Sequence, residues 1–132
     1  MHPILNISVT GADALEFLQA QLTNDLMRLD AEGEILAAWC NPKGRVIWFG
    51  TVNKTADGYR LSAPADTAED IVKRLTMFRF RAKVDFEIVD EGQTVDAAIL
   101  VEQGRPYVGR AQMELFTPHM LNLDLLDAIS MD

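Results

Sequence analysis

Apolar and polar positions alternate loosely from Ile4 to Val9, the period-two signature of a strand with one buried face. The period then changes. Leu15, Leu18, Leu22, Leu26 and Leu29 recur at helical spacing, which predicts an amphipathic helix over residues 12–29. Thr10, three residues ahead of Asp13, resembles a capping box at its start, and Gly33 closes the loop after it. The apolar run Ile35–Cys40 predicts a strand. Asn41-Pro42-Lys43-Gly44 predicts a type I turn, with Asn first, Pro second and Gly fourth. Arg45–Val52 is the expected return strand, Asp57-Gly58 a second hairpin turn, and Tyr59–Ala63 a third strand.

Pro64 ends that run, and Asp66 with Glu69 predicts a second helix start. Ala68, Ile71, Val72, Leu75 and Phe78 share one helical face. From Phe78 the period returns to two. Phe78, Phe80, Ala82 and Val84 alternate with Arg79, Arg81 and Lys83, which predicts a strand with a cationic outer face. Beyond it, Glu91-Gly92 reads as a turn, Val95–Val101 as a strand and Gly104-Arg105-Pro106 as irregular. A short helix is expected after Pro118, within Leu115–Ile129. Consecutive hairpins and two main helices imply a single α+β domain over residues 1–132, with a mainly antiparallel sheet.

Composition narrows the function classes. Net charge is −8, from 12 basic and 20 acidic residues, which argues against direct binding of nucleic acid. Five of the 12 basic residues nevertheless cluster at Lys73, Arg74, Arg79, Arg81 and Lys83. No run approaches the roughly 20 apolar residues of a membrane span. Met1-His2-Pro3-Ile4 lacks a signal-peptide profile. Cys40 is the one cysteine, which rules out an internal disulfide and suits a reducing compartment. Cytoplasm is the expected location.

Few residues point to chemistry. His2, His119 and Cys40 are far apart in sequence, so no metal site is expected. Cys40 reads as a small core residue beside a turn, and a nucleophilic role would need a basic partner such as Lys43 or Arg45. No catalytic residue stands out. The acidic residues Asp13, Asp57, Asp66, Glu69 and Glu91 read as caps and turns. The Arg79, Arg81 and Lys83 face is either solvated or a dock for an anionic ligand tail. Trp39 and Trp48 are either core or a flat wall for a planar heterocycle.

Four stretches stand out when taken together: Val9-Thr10-Gly11-Ala12-Asp13 running on to Gln19-Ala20-Gln21-Leu22-Thr23-Asn24-Asp25; Ala37-Ala38-Trp39-Cys40-Asn41-Pro42-Lys43-Gly44-Arg45; Met77-Phe78-Arg79-Phe80-Arg81-Ala82-Lys83-Val84; and Pro118-His119-Met120-Leu121-Asn122-Leu123-Asp124 with Ala128-Ile129-Ser130. In this order they resemble the YgfZ and glycine-cleavage T-protein superfamily, nearest to its YgfZ-like members. Two departures stand out. The family's Lys-Gly-Cys-aromatic-x-Gly-Gln-Glu signature would begin where this chain ends, at Asp132. The stretch between Glu87 and Glu102-Gln103-Gly104-Arg105-Pro106 is short, where family members carry several tens of residues. A fragment or reduced form is expected.

The resemblance implies a tetrahydrofolate-binding fold. The T-protein carries an Asp pair on the strand after the glycine turn, and the aligned positions here are about Trp48 and Phe49. Neither can take a proton as a carboxylate does. The implied function is therefore a non-catalytic folate-binding helper in iron–sulfur protein maturation or repair, indirectly supporting tRNA modification. Folate contacts are expected from Asn24, Asn41 and Lys43, with Trp39 and Trp48 as walls and Arg79, Arg81 and Lys83 facing the glutamate tail. Expected partners are folate and iron–sulfur client or assembly proteins, with no membrane. One rival is a protein-interaction or self-associating domain without a small-molecule ligand. Another is a degenerate aminomethyltransferase.

Overall fold

The computed structural model describes residues 2–95, 108–110 and 113–114. The chain runs β1 (His2–Thr10), α1 (Ala14–Gln21), a 3-10 turn (Leu26–Arg28) merging into the one-turn α2 (Leu29–Glu32), β2 (Glu34–Cys40), β3 (Val46–Lys54), β4 (Gly58–Pro64), α3 (Ala68–Phe78) and β5 (Asp85–Val95). The strands form one antiparallel sheet in the order β2-β3-β4-β1-β5. This is the α+β architecture expected from the sequence, with α1 and α3 as its two main helices.

Alternation sorts the strands into two faces. Ile7 and Val9 of β1 stand opposite Leu61 and Tyr59 of β4, and all four are buried with Phe17, Leu18, Ile71 and Leu75 of the helices. β2 is apolar from Ile35 to Cys40, and both of its faces contribute to clusters of buried residues. Ile35, Ala37 and Trp39 join the helix-side core, while Ala38 joins Val46, Phe49 and Val108 in a smaller cluster on the other face.

Several expectations need correction. The helix over residues 12–29 is broken. Leu22 is extended (φ −91°, ψ 157°) and bridges Trp39, and Thr23 exchanges hydrogen bonds with the Ala38 backbone. Short polar side chains drive the break by capturing backbone groups that a helix would need. Asn24 Oδ1 accepts from the Asp25 amide and Asp25 from the Met27 amide. Neither expected cap acts on its own helix. The Asp13 carboxylate accepts the Lys83 amide at 2.8 Å, and the Asp66 carboxylate the Arg110 amide at 3.2 Å.

The alternating run from Phe78 to Val84 is not a strand. α3 continues through Phe78, residues 79–84 form a turn, and β5 begins only at Asp85, where pairing with β1 starts. Glu91-Gly92 is a bulge within β5, not a turn between strands. Asp90, Glu91 and Gly92 lie against the single residue Leu5, and the Gly92 amide (φ 72°) donates to Asp90 Oδ1. The strand expected at Val95–Val101, the irregular Gly104–Pro106 and the helix after Pro118 lie outside the described residues, apart from Val95 as the last residue of β5.

Candidate functional site

The sheet face turned away from α1 and α3 is hollowed into a groove of about 690 Å³. Strand alternation builds it. Asn6 of β1, Phe49 and Thr51 of β3, and Arg60 and Ser62 of β4 line it, at positions that alternate with residues facing the helices. Leu36, Phe49 and Val108 give it an apolar wall. Asn6 Nδ2 donates to Gln93 Oε1 at 2.7 Å. Arg60 Nη1 lies 2.8 Å from Glu91 Oε1, while its buried Nε has no partner. At the rim Lys54 pairs with Asp30 at 3.0 Å, and that hydrogen bond raises the ammonium pKa above its ordinary value. Glu34 supplies the one carboxylate among the described lining residues.

The groove floor opens because β3 and β4 part. Their ladder runs only from Val52↔Leu61 to Lys54↔Tyr59. Further along, Ser62 Oγ accepts the Thr51 amide at 2.9 Å and lies 2.7 Å from Thr51 Oγ1. The Trp48 indole closes the gap from behind, donating to the Ser62 carbonyl at 2.8 Å. Gly50 is required there. A Cβ would collide with the Ser62 carbonyl oxygen and come within 2.9 Å of the Trp48 ring.

A smaller cleft of about 350 Å³ lies at the end of the β2–β3 hairpin, lined by Trp39, Asn41, Pro42, Arg74, Phe78 and Glu114 among others. The turn matches expectation. The Gly44 amide donates to the Asn41 carbonyl at 2.9 Å, and Asn41 Oδ1 accepts the Lys43 and Arg45 amides. Asn41 Nδ2 donates to Glu114 Oε2 at 3.0 Å, and Arg74 Nη1 donates to Glu114 Oε1. These two partners hold the Glu114 carboxyl below its ordinary pKa. Trp39 stands edge-to-face with Phe78 at 5.9 Å and donates to Gln21 Oε1 at 3.3 Å. Cys40 also lines this cleft, but burial pushes its thiol pKa up, away from the reactive thiolate.

The eight residues singled out from the sequence do not converge. Trp48 backs the large groove. Trp39 and Asn41 line the hairpin cleft, with Lys43 exposed at the turn tip. Asn24 is buried and donates to the Leu36 carbonyl at 2.8 Å. Arg79, Arg81 and Lys83 flank the turn after α3. The groove residues Asn6, Thr51, Arg60 and Ser62 were missed. Their signal is the same period-two alternation, read on its polar phase: Asn6, Arg60 and Ser62 stand between apolar residues packed in the core, and Thr51 between Gly50 and the core residue Val52.

Among the described residues, no group of three or more His, Cys, Asp or Glu could hold a metal ion, and no helix is long and apolar enough to cross a membrane. No family model matches the chain. It is similar to proteins of three names. It is 28% identical over 91 residues to the iron–sulfur cluster assembly factor IBA57 homolog of Pyricularia oryzae, covering 66% of this chain and 23% of that protein. It is 29% identical over 99 residues to the tRNA-modifying protein YgfZ of Hamiltonella defensa, covering 75% and 29%. It is 34% identical over 103 residues to the aminomethyltransferase of Bordetella avium, covering 76% and 27%. The match thus spans less than a third of each relative. In fold, it superposes on the glycine cleavage aminomethyltransferase T of Bartonella henselae with a TM-score of 0.59 at 22% identity, covering 78% of this chain and 30% of that one.

Proposed function

We propose, on the resemblance to the YgfZ and T-protein superfamily that sequence relatives and fold both bear out, that this chain is a tetrahydrofolate-binding module without transfer chemistry. It serves iron–sulfur protein maturation or repair and, indirectly, tRNA modification, a reading supported by relatives named an iron–sulfur cluster assembly factor and a tRNA-modifying protein. The observation that carries the reading is the groove on the open sheet face. It sets a flat apolar wall at Phe49 beside amide, hydroxyl and guanidinium groups, the mixture that holds a planar heterocycle. The pterin lies against Phe49 with its amide edge on Asn6, Thr51 and Ser62. Arg60 and Lys54, the two cations among the described lining residues, face the glutamate carboxylates.

Support for the absence of transfer chemistry comes from Phe49 and Trp48. Phe49 lines the groove and Trp48 backs it, so neither of these positions offers a carboxylate to a bound folate.

The test is titration with 5-formyl-tetrahydrofolate, following tryptophan emission in Trp39→Phe and Trp48→Phe chains. Saturable quenching of Trp48 is expected, with affinity weakened about tenfold or more in Phe49→Ala and Arg60→Gln. Quenching that follows Trp39 instead would move the ligand to the hairpin cleft, where Asn41 and Lys43 are at hand. No saturation in a folded chain would reject folate binding. The rival reading, an interaction domain, is favoured by one observation, the exposed aromatic end of α3.

A further inference from the structure

At the apolar end of α3 only Phe78 reaches back to the core, edge-to-face with Trp39, while Met77 and Phe80 turn outward. Met77 is 74% exposed, Phe78 43% and Phe80 86%. Phe80 also adopts φ 48°, a left-handed backbone that bulky residues avoid. Nothing about folding calls for a large side chain there, since Gly or Asn would take the turn with less strain.

The turn is nonetheless firmly held. The Ala82 amide donates to the Arg79 carbonyl at 2.8 Å. The Lys83 amide donates to the Asp13 carboxylate, and the Asp13 amide returns a bond to the Lys83 carbonyl at 3.1 Å. Val84 is buried beneath it. Phe80 is therefore presented at a fixed apex. Around it, Lys73, Arg81 and Lys83 are exposed and hold no ion pair among the described residues, while Arg79 reaches Asp85 only at 3.7 Å. That no described carboxylate pairs with Lys73, Arg81 or Lys83 is notable in a chain of net charge −8.

We propose that this apex is a docking knob for a partner protein, with Phe80 and Met77 entering an apolar socket rimmed by Asp or Glu. Aromatic, Met and Arg side chains are the residue types that anchor protein interfaces. Charge supplies the orientation. The acidic remainder of the chain repels an acidic partner, so only the cationic shoulders of the knob admit it. The same acidic field opposes a bilayer or a nucleic acid, whose charge extends well beyond the knob. A protein socket touches the knob alone. This surface is separate from the groove and stands whether or not folate binds there.

The test selects a random peptide library against the immobilised full chain. Enriched peptides should combine Asp or Glu with large apolar residues. Their affinity should fall about tenfold or more in Phe80→Asn, as for an anchoring residue. Phe80→Asn should melt at or above the wild-type temperature, because Asn tolerates the backbone better. Arg81→Gln with Lys83→Gln should weaken the same peptides and flatten their salt dependence, and this variant serves alone if Phe80→Asn folds poorly. Failure to enrich, peptides lacking acidic residues, unchanged binding by the variants, or preferential binding to phosphatidylglycerol vesicles would each overturn the proposal.

Discussion

Asn24 is polar and motif-like in the sequence, yet only 2% of it meets solvent. Its amide nitrogen donates to the Leu36 carbonyl, while its oxygen accepts from the Asp25 amide and, at 3.2 Å, from Arg28 Nη1. Such a residue ties the chain after α1 to the edge strand β2. Asn24→Ala would strand those buried groups and should cost about 1–3 kcal/mol of stability. Chemical denaturation measures that loss, and folate affinity per folded molecule should stay unchanged. Weakened affinity at full stability would instead make Asn24 a ligand contact. Gly50 makes a second test. Gly50→Ala forces a methyl group onto the Ser62 carbonyl and the Trp48 ring, an overpacking cost of about 1–3 kcal/mol. Trp48 emission should shift in the same variant, because its hydrogen bond to Ser62 is disturbed.

Strands were more legible than helices, and the reason is local. β1 to β4 announce themselves because turn residues such as Asn41-Pro42-Lys43-Gly44 and Asp57-Gly58 separate runs of constant period. Leucine spacing extends the expected first helix past α1 because it persists through Leu26 and Leu29. Those leucines are buried, but from an irregular path that Thr23, Asn24 and Asp25 impose. The run after Phe78 misleads for the opposite reason: its alternation is real in sequence, but this segment pairs with β1 only from Asp85 onward. The candidate groove was invisible in motifs because it depends on β3 and β4 parting at Gly50, a tertiary event. Contacts distant in sequence, such as Glu114 with Asn41 and Arg74, leave no pattern either. Glu114 anchors its segment to the hairpin and α3, and its carboxyl titrates below the ordinary glutamate range. A depressed carboxyl pKa stabilises the fold above the unfolded value, about 4.3, and that stability is lost as pH falls through the folded value. Glu114→Gln should therefore lower the melting temperature near neutrality, with the difference from wild type vanishing at more acidic pH. A constant difference across the range would mean that glutamate charge has no part in the anchor.

A groove on one sheet face and a cationic aromatic knob after α3 give the molecule two surfaces of different character. They are built from different sequence signals, one from strand alternation and the other from a turn that interrupts it. Ligand-linked stability separates them. Folate that binds only the folded chain should raise the melting temperature with the logarithm of its concentration, by about 2.7 kcal/mol of added stability at 100 times Kd. Phe49→Ala should abolish most of that rise at a given ligand concentration, since it removes the apolar wall. Phe80→Asn should leave the rise intact, because Phe80 does not line the groove. The pair of variants is informative in both directions. If Phe80→Asn also lost the folate-dependent rise, the two surfaces would be energetically coupled, and partner docking would then change folate affinity by the same factor as folate changes docking. If neither variant altered the rise, the ligand would lie elsewhere, and the hairpin cleft around Trp39 and Asn41 would be the next place to look.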